Sequence, residues 1–274
     1  MPQNMLIWYI TFILVVLIAI YLTGIKDAVD EVVDLETAYY DVKVIGQRNA
    51  SRIINDRVNA MQSLFVDAYG RPGWKLLRSS KNTTIDILAA SDGYPSFLKT
   101  TTHIGAESQK VFSKFQWNNF HKTQKAIDPF FENAETIAML DNIRLLRKTT
   151  KRPLIFPKRE FILGSVDLKQ RNTISVTDRR TSTVTVIPRG TLISALVSIK
   201  IDESSFNTIT ERGEQFVLAY QDFMSWYIPE QYGTKLIVIM RVDLGKDIPR
   251  WIFLTTIAAT GIWSVNALKK LLEK

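Results

Sequence analysis

Cysteine is absent from the 274 residues, and histidine occurs only as His103 and His121. A disulfide framework, a thiolate zinc or iron–sulfur site and a cysteine nucleophile are therefore excluded, and little is left for a histidine-rich metal site or a histidine triad. HExxH, GxSxG, GxGxxG and the Gly-rich phosphate loop are missing as well. Carboxylates are plentiful, but no spaced pair stands out. The expectation is a chain without an enzymatic centre, metal or cofactor. Charge is missing from residues 1–25, whereas residues 26–46 carry two Lys against six Asp or Glu, a net −4. With +8 overall, the remainder carries +12. A basic body behind an acidic neck suits an anionic membrane surface, a nucleic acid or an acidic protein.

The uncharged start bears on that choice. Met5 to Ile25 is 21 residues of MLIWYITFILVVLIAIYLTGI, about 31 Å of helix at ~1.5 Å per residue, close to the ~30 Å hydrocarbon thickness. Trp8, Tyr9 and Tyr21 stand near its ends like interfacial anchors. No Lys or Arg precedes the run and no small-x-small site follows it, which favours an uncleaved single-pass anchor over a signal peptide. The segment fits the inner mitochondrial membrane and the endomembrane system alike.

Beyond the neck, Ile54, Val58, Met61 and Phe65 recur at helical spacing until Tyr69-Gly70-Arg71-Pro72-Gly73 stops them. The pattern then turns to strands: 84–89, 97–103, 135–140, 143–149, 159–167, 173–178, 192–201, 216–220 and 235–243, with a short helix over 106–115. Antiparallel strands on tight turns, without crossover helices, predict an α+β fold with a curved sheet. Trp251 to Leu268 is uncharged, preceded by Pro249 and followed by Lys269 and Lys270. Two readings compete for it: a second membrane span, or a helix packed over a cavity.

The passage FMSWYIPEQYGTKLIVIMRVDLGKDIPRW, Phe223 to Trp251, resembles the START domain, the steroidogenic-acute-regulatory-related lipid-transfer module. Trp226, Tyr227, Ile228 and Pro229 match the family's Trp/Tyr-x-Ile-x-Pro passage in kind. Val242, Asp243, Gly245, Ile248, Pro249 and Trp251 match its Val-Asp-x-x-Gly-x-Ile-Pro-x-Trp passage with one extra residue. Arg159-Glu160-Phe161 stands at the family's Arg-Asp-Phe, Trp74 at its opening Trp and Trp117-Asn118 near its Trp-Asp. The region 118–133 reads as an insert relative to the simplest members. The resemblance divides the chain into an anchor (1–25), an acidic neck with amphipathic helix (26–61) and a START-like domain (62–274).

The resemblance implies a helix-grip fold: a curved antiparallel sheet around a long C-terminal helix, enclosing a tunnel for one lipid or sterol. Phe253, Ile257, Gly261 and Ser264 would then face the ligand, the competing reading being plain helix–sheet packing. Arg159 would hold a headgroup or pair structurally, and Met139 and Trp226 would face the cavity or fill the core. Arg144, Arg147, Lys148, Lys151 and Arg152 form a basic run that reads either as a contact to anionic lipid headgroups or as a solvated hairpin edge. It lacks an aromatic stacking platform, so nucleic acid is not an expected partner. The function expected is membrane-anchored lipid binding and intermembrane transfer. The alternative is an accessory subunit of a membrane complex, including a mitochondrial one, with the fold retained and transfer lost.

Overall fold

The computed structural model describes residues 43–44, 50–89, 96–151, 157–201, 216–244 and 250–273. The expected anchor and most of the acidic neck lie outside them, as does Arg152.

Helix α1 is Ala50–Gly70. Its apolar stripe (Ala50, Ile54, Val58, Met61, Phe65, Ala68) is fully buried, so the helix crosses position 61 without a break and packs on the sheet from its first turn. Burial of each large side chain in that stripe contributes roughly 1.5–3 kcal/mol. The chain leaves α1 through Gly73, at φ +95°, and Trp74 Nε1 donates to the Ala68 carbonyl at 3.0 Å, closing the helix end.

The strands are β1 (Lys43–Val44), β2 (Lys75–Ser80), β3 (Thr83–Leu88), β4 (Phe97–Ile104), β5 (Phe131–Leu140), β6 (Ile143–Thr150), β7 (Lys158–Lys169), β8 (Ile174–Asp178), β9 (Thr183–Ile187), β10 (Leu192–Ser198), β11 (Lys200–Ile201), β12 (Phe216–Leu218), β13 (Tyr220–Glu230) and β14 (Gly233–Asp243). The main sheet runs β2-β3-β4-β14-β13-β10-β7-β6-β5 with antiparallel neighbours, and β12 adds to β7 in parallel. β1 pairs with β11 in parallel, and β8 with β9 as a separate hairpin. The remaining helices are α2 (Ser108–Ser113), α3 (Trp117–Ile127) and α4 (Arg250–Leu272).

Alternation along the strands sorts the core into two faces. Ile162, Val166, Ile193, Ala195, Met224, Trp226, Ile237 and Ile239 pack with α1. Phe161, Leu163, Leu146 and Val242 turn to the other face, with Phe253 of α4 against them. β7 is therefore buried on both sides through its middle, which explains the continuous Phe161-Ile162-Leu163-Gly164 run. At Gly164 a Cβ would lie 2.7 Å from Ile54 Cγ2, so the absence of a side chain sets how closely α1 approaches.

The α1 face holds two buried ionic groups. Lys99 Nζ lies 2.6 Å from Asp178 and 3.6 Å from Asp86, and Arg180 Nε is 3.1 Å from Asp86. The same ammonium stands over the rings of Tyr69 and Trp74 at 4.7 and 4.6 Å. Burial pushes Asp178 up, but the hydrogen bond and charge of Lys99 outweigh it and leave its carboxyl below the ordinary range. Asp86 is held above that range by burial, against the pull of Lys99 and Arg180. This group pins the β8–β9 hairpin across the end of α1. In the second group, Arg57 of α1 reaches Asp222 at 2.5 Å and the Tyr220 hydroxyl at 2.7 Å, while Tyr220 also donates to Asp222. Burial raises the Asp222 carboxyl despite Arg57.

Two local features go beyond the sequence reading. Within the region 118–133, read as an insert relative to simpler family members, the chain up to Ile127 forms α3, and β5 begins at Phe131 rather than Glu135. α4 lies against α3 and strands β2, β3 and β4. Its Ile252–Leu272 stretch is, among the described residues, the one helix long and apolar enough to cross a membrane by length and composition. Lys110 Nζ donates to the Leu272 carbonyl at 2.8 Å, and Lys269 and Lys270 stand in the last turn, all complementing the helix C-terminus.

Candidate functional site

The second face of the sheet does not close on itself. Between β4, β14, β13, β10, β7 and β6 below and α3 and α4 above lies a cavity of about 490 Å³. Its walls are mainly apolar: Phe161, Leu196, Phe223, Leu236, Val238, Met240 and Val242 from strands, Phe120 and Ile127 from α3, and Ile252, Phe253, Ile257, Val265 and Leu268 from α4. The strand positions follow period two and the helix positions follow 3.6, so each element contributes one stripe. Ser264 Oγ donates to the Ile127 carbonyl at 2.5 Å, tying α4 to the end of α3. Gly261 brings α4 close to β3: a Cβ there would lie 2.6 Å from Ile85 Cδ1. The space falls within the usual ~300–1,000 Å³ of small-molecule sites, with few polar groups among many apolar ones.

No family model matches the chain, and no curated protein matches it by sequence. Solved structures do match. Human StAR-related lipid transfer protein 5 superposes with a TM-score of 0.64 at 12% identity, covering 81% of this chain and 98% of that one. Human STARD10 gives 0.60 at 13%, covering 79% of each. The human StarD13 (DLC2) lipid transfer and protein localization domain gives 0.53 at 17%, covering 77% and 95%.

The chain has a START fold. In it, α4 is the long C-terminal helix, and the described strands with α2 and α3 make the rest of the grip.

Within that START fold the residues singled out in the sequence separate clearly. Phe253, Ile257, Gly261 and Ser264 of α4 all border the cavity, and so does Arg159. Arg159 is 1% exposed; its Nε donates to the Leu244 carbonyl at 2.5 Å and its Nη1 to that of Pro157 at 2.7 Å. Its neighbour Glu160 points to the opposite face of β7, where it meets Arg147 Nε at 2.5 Å.

Met139 does neither of the two things expected of it, whereas Trp226 fills the core. Met139 is 55% exposed, because register shifts in β5 put Ala134, Ile137 and Leu140 inward instead. Trp226 is fully buried, but on the α1 face with Met224 and Ile228; period two gives Phe223 to the cavity.

The basic run is a correction. Arg144 stacks on Trp117 at 4.3 Å and donates to Thr136 Oγ1 at 3.0 Å. Arg147 is held by Glu160 and Glu135, and Lys148 by Asp128 at 3.3 Å. Arg147 and Lys148 are buried, so only Lys151, whose Nζ donates to the Pro129 carbonyl at 3.4 Å, stands on an exposed surface. A run of cations along a strand alternates between faces, and here both faces are covered. Arg152 lies outside the described residues.

Several lining residues escaped the sequence reading. Phe120, Gln124 and Ile127 follow Trp117 at spacings 3, 4 and 3, a helix signal in the region read as an insert. Lys148, Ser165, Asp167, Ser194 and Gln221 add polar groups to the wall. Ser194 Oγ donates to Asp167 Oδ1 at 3.2 Å. Asp167 is exposed and borders the cavity, and loss of water to the surrounding protein raises its carboxyl above the ordinary range, against the pull of Ser194 and Arg144. His103 pairs with Glu230 at 2.8 Å on the exterior, and among the described residues no cluster of three or more His, Asp or Glu suits a metal ion.

Proposed function

We propose that this chain binds one lipid or sterol molecule in the cavity beneath α4 and carries it between membranes without covalent chemistry, held at a membrane surface by residues 5–25. The observation that supports this reading best is the apolar space of about 490 Å³ kept open between α4 and a ten-stranded sheet. A protein with no ligand to hold would gain by filling it, since empty apolar volume costs ~24 cal/mol per Å³. A lipid leaving a bilayer exposes apolar area worth about 0.8 kcal/mol per CH₂, and the Phe, Leu and Val lining replaces the lost hydrocarbon. An anchor raises the local concentration of the body at its donor or acceptor surface without new contacts. START-fold neighbours named for lipid transfer agree in fold with this reading.

The test is lipid extraction from the affinity-purified full chain, followed by mass spectrometry. One lipid per protein, lost when Ile257 is changed to Trp to fill the cavity, is the expected result. An empty protein that stays soluble only with a partner would instead identify an accessory subunit of a membrane complex.

A further inference from the structure

Among the described residues four charged ones line the cavity, and they are sorted by place: Asp128, Lys148 and Arg159 at one end, Asp167 at the other. Lys148 pairs in register with Phe161, and Thr150 Oγ1 accepts from the Arg159 backbone N–H at 3.0 Å, so both cations occupy the same end of the β6–β7 pair. Asp167 lies eight residues beyond Arg159 on β7, roughly 26 Å of strand at ~3.3 Å per residue. Along the intervening stretch, Phe161 and Leu163 turn the same way as the two charged residues, and Leu196 and Phe223 continue the apolar wall beside them.

The two ends differ in chemistry. Lys148 is 8% exposed and divides its charge between Asp128, at 3.3 Å, and the face of Phe161, at 5.6 Å. A ligand anion entering there joins a cation already stripped of most of its water, where charge-assisted hydrogen bonds are strongest. Asp167 accepts from Ser194 at 3.2 Å, which leaves its second carboxylate oxygen as an acceptor, while the Ser194 hydroxyl also bonds to Tyr227. That end suits a ligand group that donates, such as a hydroxyl. Arg144 lies close enough to act on the Asp167 charge and is itself engaged with Trp117 and Thr136.

Resting on the lipid-carrier reading, we propose that the ligand is a two-ended amphiphile. Its anionic head, a carboxylate or a phosphate monoester, sits against Lys148 with Arg159 behind it. Its far end carries a hydroxyl received by Asp167, which Ser194 holds in place. A neutral sterol satisfies one end only, and a zwitterionic phospholipid brings a third cation to an end that already has two.

The experiment uses the full chain in phosphatidylcholine vesicles, labelled by diazirine-bearing hexadecanoic acid and, separately, by diazirine-bearing cholesterol. Competitors are hexadecanoic acid, hexadecyl phosphate, ω-hydroxyhexadecanoic acid, its methyl ester and cholesterol. The acid or the phosphate competes, and the stronger of the two names the head. The ω-hydroxy acid competes roughly tenfold better than the plain acid, and its methyl ester roughly tenfold worse. Lys148→Met abolishes the difference between acid and ester; Asp167→Asn abolishes the advantage of the hydroxyl and leaves the first difference intact. Equal competition by acid and ester, or displacement led by cholesterol, overturns the two-ended ligand while lipid binding stands. If neither probe labels any cavity residue, the carrier reading itself fails.

Discussion

Gly261 of α4 and Ile85 of β3 approach so closely that a Cβ on the glycine would stand 2.6 Å from Ile85 Cδ1. The glycine therefore sets the height of α4 above the sheet, and with it the depth of the cavity. Gly261→Leu should lift the helix and cost about 1–3 kcal/mol through overpacking. A lowered Tm together with reduced lipid occupancy is the expected pair of results; an unchanged Tm would show that α4 rides loosely on β3.

The Lys99 group makes a sharper demand. Lys99→Met keeps the stem but leaves Asp86 and Asp178 buried without their cation. Removing one partner of a buried ionic group costs roughly 3–5 kcal/mol. Hydrogen exchange should rise first in the β8–β9 hairpin, whose first strand ends at Asp178, the residue Lys99 holds. Uniform loss of protection across the whole sheet would contradict the pinning role.

Gly164 and Ile54 form a pair suited to a double-mutant cycle. Gly164→Ala places a methyl 2.7 Å from Ile54 Cγ2 and is expected to destabilise. Ile54→Ala opens a cavity and costs about 2–5 kcal/mol alone. Because the two changes are complementary in space, the double variant should be more stable than the sum of the singles by roughly 0.5–3 kcal/mol, read by denaturant unfolding. Simple additivity would place α1 further from β7.

Two carboxyls shift in opposite directions and give opposite pH signs. Asp167 binds its proton more tightly folded than unfolded, because burial dominates. Between the ordinary carboxyl range and that raised value, the folded state holds the extra proton and its contribution to stability falls as pH rises. Asp167→Asn should accordingly raise Tm at neutral pH and converge with wild type below about pH 4, where both forms are uncharged. Asp178, held low chiefly by Lys99 against its burial, contributes stability above the ordinary range that is lost as pH falls through its depressed value. A Tm gain for Asp167→Asn that persists unchanged in acid would separate it from the titration.

What the sequence determined by itself was periodicity. The Ile54, Val58, Met61, Phe65 stripe forms α1, the β-rich runs between turns form β4, β6, β7, β10 and β14, and the Pro-headed apolar run forms α4. These are properties of a few neighbouring residues, and neighbours suffice to create them. Even there, the stripe Trp117, Phe120, Gln124, Ile127 was masked by the polar residues between its members. The tertiary structure decided which face met which partner. Trp226 and Phe223 are equally aromatic on one strand, yet α1 covers the first and the cavity receives the second. Arg147 and Lys148 read as surface cations until Glu160 and Asp128, from other parts of the chain, bury them. The direction of a side chain is local, but what waits for it is assembled from residues far away in sequence, and the cavity and its two charged ends exist only in that assembly.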